Sequence, residues 1–290
     1  MNHLQEFLKK PPHGPFYAVI GHPLAHSKSP LIHNIALQHH NMKATYYAID
    51  TPSNAFAWIG KLLSLPGFRG LNVTIPHKSR IIEPLDIIDP LAIEVGAVNT
   101  VATSRNGLIG YNTDVTGFVQ SLLPHALMFA GQPGVVMGSG GAARAAVASF
   151  RDLKMTKAFV VSRRPAATDW PAYINKVPVQ IIGYNQLESA IAQCGAVINT
   201  TPLGMQPDIY KSPVPPDLTH LLKGKVCMDA IYNPLETQFM KQADIAGAHS
   251  AIGGLTMFVE QAAASFRIWT GKSFPKEEAA KAIKEQLLAR

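Results

Sequence analysis

Cysteine is scarce: Cys194 and Cys227 are the only two among 290 residues. Both sit in apolar runs, CGAVIN and KVCMDAIY, and read as buried strand thiols. Two such residues build neither a disulfide framework nor a thiolate metal site, and they fit a reducing compartment. No uninterrupted apolar run approaches the ~18–20 residues of a membrane span, and the N-terminal stretch MNHLQEFLKKPPHGP lacks an apolar signal core. A soluble, cytoplasmic protein is expected, with no membrane partner. Charge is sparse too, at 16% of residues against 47% apolar, which excludes disorder as the dominant state. The net charge of +7 comes with no Lys/Arg run interleaved with aromatics, so no nucleic-acid partner is expected; an anionic small molecule suits it better. Eleven histidines are present, but without H-E-x-x-H or a His/Cys cluster at ligand spacing, so no metal site is expected.

What is present is an alternation of short β-rich runs and helical stretches, the pattern of an α/β protein. Strands are expected at 16–21, 44–49 and 69–75, with helices at 30–41 and 53–64 and a short helix beginning near Pro76. Strands at 97–103 and 107–111 flank Asn106-Gly107, a strong hairpin signal, so the first sheet should be mixed. After a helix at about 113–123, a second series begins. Its strands are 134–137, 157–162, 178–182, 195–199, 225–230 and 248–252. Its helices are 141–153, 186–193 and 235–246, in the order of a mostly parallel sheet. Helices at 254–269 and 275–289 end the chain.

The sharpest motif is Gly138-Ser139-Gly140-Gly141-Ala142-Ala143, which matches G-x-G-x-x-G/A between an apolar strand and an Ala-rich helix. Gly138 permits the tight turn, Gly140 lets a pyrophosphate approach the backbone, and helix-start amides face the phosphates. At the end of the next strand, an NAD site usually carries an acid for the ribose hydroxyls. This chain has Ser162-Arg163-Arg164 there. Guanidiniums suit a 2′-phosphate, so NADP is the expected cofactor.

Other polar residues fall at element ends. Ser29 precedes Pro30 and is an N-cap candidate; with Ser27 it could receive a carboxylate, although any Ser-Pro helix start gives the same cap. Asn72 and Thr74 share one strand face, Lys78 follows them, and a lone Lys is most often a solvated charge. Asn99, Asn112-Thr113-Asp114 and Asn199-Thr200-Thr201 also close strands or open helices.

Together these stretches, in this order from about 16 to 271, resemble the shikimate dehydrogenase family. The matching residues are His26-Ser27-Lys28-Ser29-Pro30, Asn72-Val73-Thr74-Ile75-Pro76 with Lys78, Gly96-Ala97-Val98-Asn99-Thr100, Asn112-Thr113-Asp114, the glycine turn, Asn199 with Thr201-Pro202-Leu203-Gly204-Met205, and Gln261-Ala262-Ala263 with Trp269-Thr270-Gly271. The resemblance implies two lobes. One is an N-terminal mixed α/β substrate domain (1–112 plus 254–290). The other is a doubly wound, Rossmann-like NADP domain (113–253). It implies NADPH-dependent reduction of 3-dehydroshikimate to shikimate in aromatic amino acid biosynthesis, by a monomer or homodimer. Ser27, Ser29, Thr74, Asn99, Tyr232 and Gln261 would then hold the substrate, and Lys78 and Asp114 would be the catalytic pair. Gly138, Ser139, Gly140, Gly141 and Ala142 would hold the pyrophosphate, Ser162, Arg163 and Arg164 the adenosine 2′-phosphate, and Gly254 would lie near the nicotinamide. The chain departs from the family pattern at Val115, usually Gly, and at Ser162-Arg163-Arg164, often Asn-Arg-Thr. Serine at both 27 and 29 resembles members that prefer shikimate, where quinate users tend to carry Thr. Alternative readings are a quinate or aminoshikimate dehydrogenase with relaxed cofactor use, and a non-catalytic dinucleotide sensor on the same fold.

Overall fold

The computed structural model describes residues 2–289. In chain order the elements begin with β1 (Asn2–His3), α1 (Leu4–Lys9), β2 (Phe16–Gly21), α2 (Ser29–His39), β3 (Thr45–Asp50), α3 (Ile59–Leu63) and β4 (Phe68–Val73). They continue through β5 (Ile87–Ile88), α4 (Pro90–Val95), β6 (Thr100–Ser104), β7 (Gly107–Tyr111), α5 (Asp114–Leu122), β8 (Gly134–Met137) and α6 (Gly141–Ser149). Next come β9 (Ala158–Val161), β10 (Tyr173–Ile174), β11 (Val177–Ile182), α7 (Leu187–Ala192), β12 (Ala196–Asn199), β13 (Val226–Asp229), α8 (Gln238–Ala246) and β14 (Ser250–Ile252). The chain ends with α9 (Leu255–Thr270) and α10 (Lys276–Leu288). It divides into two compact units. One runs to Thr113 and resumes at Gln261; the other is Asp114–Glu260, so the second division falls inside α9.

The first unit holds a seven-stranded sheet ordered β1-β3-β2-β4-β6-β7-β5. β2, β3 and β4 run parallel, and β6 is antiparallel to both β4 and β7, so the sheet is mixed. The β6–β7 connection is Arg105-Asn106, and Gly107 takes the positive φ of +106° that only glycine adopts cheaply. β2 is buried along its whole length, as parallel strands covered on both faces are. Its core partners include Ile49, Phe68, Leu71 and Val101.

The second unit holds another seven-stranded sheet, ordered β10-β11-β9-β8-β12-β13-β14. Apart from the antiparallel β10–β11 pair, every neighbour is parallel. Chain order reverses between β8 and β12. A doubly wound sheet of this kind places its ligand crevice at that reversal, beyond the carboxyl ends of the strands.

Local details differ from the sequence reading. Pro76 opens no α-helix. A turn there is followed by a 3-10 turn at Arg80–Ile82. The helix expected over 53–64 starts as a 3-10 segment, Ser53–Trp58, before α3. Ser29 is not an N-cap: α2 begins at Ser29 itself, and the flanking Lys28 makes no side-chain cap. Cys194 is buried in the connection before β12 rather than in a strand, while Cys227 lies within β13; both thiols are free. Among the described residues, no helix is long and apolar enough to cross a membrane, and no group of His, Cys, Asp and Glu could hold a metal ion.

Candidate active site

In the first unit, the expected site residues gather at the carboxyl end of β2 and β4. Gly21 ends β2, and a Cβ there would overlap Thr74 Cγ2 and lie 2.8 Å from the Ile75 carbonyl. Only glycine lets the two segments pass so closely, and the His22 amide then donates to Ile75 at 2.8 Å. Buried Asp50 pins the following loop by accepting from the Leu24 amide at 3.0 Å and facing His22 Nδ1 at 2.9 Å. Ser27 is half-buried, and its Oγ accepts the Ser29 amide at 3.4 Å. Ser29 is buried. Lys28, between them, is also buried and donates to Gln286 on α10 at 2.8 Å. The tie from Lys28 to position 286 is too remote in the chain to read from spacing.

Thr74 follows β4 directly and donates its amide to Ile20 at 2.9 Å. Lys78 is half-buried, and its carbonyl accepts the Val98 amide at 2.8 Å, next to Asn99. The backbone at Lys78 is held a second way, through its neighbour. His77 is fully buried, and its Nε2 lies 2.6 Å from the Thr51 carbonyl, so Nε2 carries the proton. Burial pushes the His77 imidazole below the usual histidine range, with the Thr51 bond opposing it. Asn99 is buried, and its carboxamide is held by Thr100 and Thr113. Gln261 opens this unit's share of α9, and its carbonyl accepts the Ser265 hydroxyl at 3.0 Å.

In the second unit, Asp114 is the first residue of α5 and is buried. A carboxylate is favoured at that end of a helix by the unpaired amides. The glycine turn joins β8 to α6. Gly138 has φ +106°, and a Cβ on it would press Thr200 Oγ1 at 2.9 Å. A Cβ on Gly140 would meet nothing within 4 Å, so the space above the turn is open. Gly140 is the N-cap of α6, and Ala143 is fully buried one turn in. Thr200, closing β12, bonds the Met137 carbonyl through both its amide and its hydroxyl, at 3.0 and 2.7 Å.

Beside this turn is an open polar cavity of about 230 Å³, lined by Ser139, Arg144, Ser162, Arg164, Thr168 and Trp170 among others. Ser162 Oγ organises its wall by accepting from the Arg164 amide at 3.2 Å and the Thr168 hydroxyl at 2.8 Å. Arg163 is not among the lining residues; it is exposed, and its charge acts on the Tyr184 phenol. Arg144 supplies a lining guanidinium that the sequence reading missed. It lies over the Trp170 ring at 5.1 Å and donates to the Asp169 carbonyl at 2.9 Å. A cation in the first turn of the helix after a glycine turn was the available signal. A glycine-bounded helix start beside two arginines and three hydroxyls fits the phosphates of a dinucleotide, and a second phosphate on the adenosine ribose in particular.

At the carboxyl end of β13, Asp229 is fully buried and takes hydrogen bonds from Asn199, the Ile231 amide and Thr237. These bonds shape the turn that carries Tyr232, whose ring stacks on Phe258 at 4.4 Å. Gly254 packs against the same turn: a Cβ would overlap the Ala230 carbonyl, and its amide donates to Ile231 at 2.9 Å.

The chain is similar in sequence and fold to known proteins. Residues 19–101 match the model of the shikimate dehydrogenase substrate binding domain, and residues 254–284 that of the shikimate 5'-dehydrogenase C-terminal domain. The chain is 39% identical over 269 residues to the shikimate dehydrogenase (NADP(+)) of Moorella thermoacetica, covering 89% of this chain and 88% of that protein. Among solved structures, the shikimate 5-dehydrogenase of Thermus thermophilus, in complex with NADP(H) and shikimate, superposes with a TM-score of 0.81. It is 32% identical and covers 93% of this chain and 99% of its own. The quinate dehydrogenase of Corynebacterium glutamicum, in complex with NAD, has a TM-score of 0.82 at 26% identity, over 94% of this chain and 99% of its own. With a mixed sheet carrying the Ser27, Thr74, Lys78 and Asn99 segments and a doubly wound sheet carrying the glycine turn, the chain belongs to the shikimate dehydrogenase family.

Proposed function

We propose that this protein is an NADP-dependent shikimate dehydrogenase, reducing 3-dehydroshikimate to shikimate in aromatic amino acid biosynthesis. The observation that carries the reading is the near-full-length match to curated NADP(+) enzymes, together with the arginine-lined cavity beside the glycine turn. Its first unit is the substrate domain and its second the NADP domain. In that reading, Ser27 and Ser29 hold the substrate carboxylate, and Thr74, Asn99, Tyr232 and Gln261 hold the ring hydroxyls and carboxylate. The amides of Gly138, Ser139, Gly140, Gly141 and Ala142 receive the pyrophosphate. Ser162, Arg163 and Arg164 serve the adenosine 2′-phosphate, Arg164 from the cavity wall, and Gly254 flanks the nicotinamide.

Bound NADPH supplies the hydride. As the carbonyl carbon is reduced, negative charge grows on its oxygen. The ammonium of Lys78 stabilises that charge and delivers a proton from Nζ to the oxygen, completing the alcohol. Asp114, its carboxylate held at a helix start, accepts a bond from a substrate hydroxyl and orients the ring. The protein thus provides orientation and charge while the cofactor provides the redox chemistry.

The small-molecule pair shikimate and 3-dehydroshikimate are the partners; no nucleic acid is needed, and the chain acts as a monomer or homodimer. Two unpaired, buried thiols suit the cytoplasm. A steady-state comparison of shikimate and quinate, each with NADP and NAD, tests the assignment. The highest kcat/KM is expected for shikimate with NADP. A higher value for quinate with NAD would favour the quinate dehydrogenase alternative.

A further inference from the structure

Arg144 closes the first turn of α6, its amide donating to the Gly140 carbonyl at 3.1 Å. Side chains on a helix lean towards its N-terminus, so the guanidinium turns back towards the glycine turn. There it meets the segment that follows β9. Its Nη2 donates to the Asp169 carbonyl at 2.9 Å, and its guanidinium carbon lies 5.1 Å from the centre of the Trp170 ring, within cation–π range. Trp170 is itself tied down, because its indole Nε1 donates to the Ser139 carbonyl at 3.2 Å. The glycine turn, the first turn of α6 and the loop after β9 thus close into one ring of contacts.

This ring holds a charge at the cavity wall. Arg144 and Arg164 both line the cavity, against a single lining carboxylate, Asp169. Burial disfavours the Arg144 charge and the Asp169 charge supports it, and an arginine stays protonated at neutral pH. A cation partly withdrawn from water gains from an arriving anion, because less water between the two strengthens their attraction. The place is also the expected one for the adenosine ribose. Ser162 follows β9 directly, and the end of the second strand after a glycine turn is where a dinucleotide fold reads the ribose 2′ position.

We infer that Arg144 is a specificity-determining residue, whose charge at the cavity wall selects the dinucleotide that carries a 2′-phosphate over the one that does not. The charge alone suffices; the hydrogen bonds that Arg144 already makes stay in place. A 2′-hydroxyl is neutral and gains little from a nearby cation, whereas a phosphate monoester brings about two negative charges. The pyrophosphate, common to both dinucleotides, is left to the amides of the glycine turn. This role rests on the proposed NADP-dependent activity and adds α6 to the elements that read the adenosine end.

Calorimetric titration of the full chain with NADP and with NAD measures the preference directly. In Arg144→Gln the Kd for NADP should rise about 10- to 100-fold, the effect of losing one charged partner, while the Kd for NAD changes less than about twofold. Arg144→Glu, with the charge reversed, should lose still more of the preference. A purely structural role at the helix start would weaken both dinucleotides alike. A ratio of NAD to NADP Kd that stays at the parent value in both variants would therefore overturn the inference, as would a parent that binds the two equally. The parent provides an independent measurement: the Arg144 Nε–H resonance, assigned by its loss in Arg144→Lys, should shift on saturation with adenosine 2′,5′-bisphosphate and much less with 5′-AMP. An equal response to the two, or none, would also overturn it. Failure of the functional reading looks different, since the parent would then prefer NADP yet leave shikimate unoxidised.

Discussion

Asn199 donates its side-chain amide to Asp229 at 3.0 Å, joining the last residues of neighbouring strands β12 and β13 in a fully buried setting. Burial pushes the Asp229 carboxyl up to about 6, against the pull of its bonds to Ile231, Thr237 and Asn199. The folded state therefore holds a proton that the unfolded chain releases near the ordinary aspartate value. Stability from this group is full below about pH 4 and is lost as pH rises to about 6, a change of about 3 kcal/mol at most. Asp229→Asn should remove that dependence, which urea unfolding midpoints across the range would reveal.

His33 should act with the opposite sign. It is fully buried, stacked on Tyr46 at 4.3 Å, and neither ring nitrogen has a partner among the described residues. Burial pushes its imidazole down to about 3. The unfolded chain takes up a proton below about pH 6.5 that the folded state refuses, so stability falls as pH drops towards 3, by about 5 kcal/mol at most. Between about pH 4 and 6 the two groups offset each other. His33→Phe, which retains the stack, should lose less stability on acidification than the parent; an identical pH profile of melting temperatures would refute this.

The division of labour between sheets was legible in the sequence, and the reason is physical. Parallel strands buried on both faces read as continuous apolar runs, and Gly138 marks a turn whose positive φ favours glycine. Asn106-Gly107 likewise announced the antiparallel hairpin. Less visible were elements held by single caps. α4 starts where Asp89 accepts the Leu91 amide at 3.0 Å and stops at Gly96 with φ +67°; the Asp89-Pro90 pair was the available signal. Arg144 escaped because its importance depends on a contact far away in the chain, with Trp170. Ser29 misled in a smaller way: α2 begins at Ser29 itself rather than after it.

Gly138→Ala tests the cofactor turn. The new methyl would need a positive φ and would press Thr200 Oγ1, whose bonds to Met137 close the strand end. NADP affinity, measured by calorimetry, should weaken by about tenfold or more, the equivalent of roughly 1–2 kcal/mol of strain. Shikimate binding to the free protein should be little changed.

Lys78→Ala tests the proton donor. Loss of a positioned acid lowers turnover by about 10²–10⁴-fold while substrate binding changes far less. A variant with parent-like kcat would remove Lys78 from that role.

The reaction in its biosynthetic direction is the most direct test. Purified protein mixed with 3-dehydroshikimate and NADPH should consume the two in equal amounts and release shikimate, identified by chromatography against an authentic standard. Undiminished NADPH absorbance under those conditions, with the cofactor shown to be bound, would contradict it.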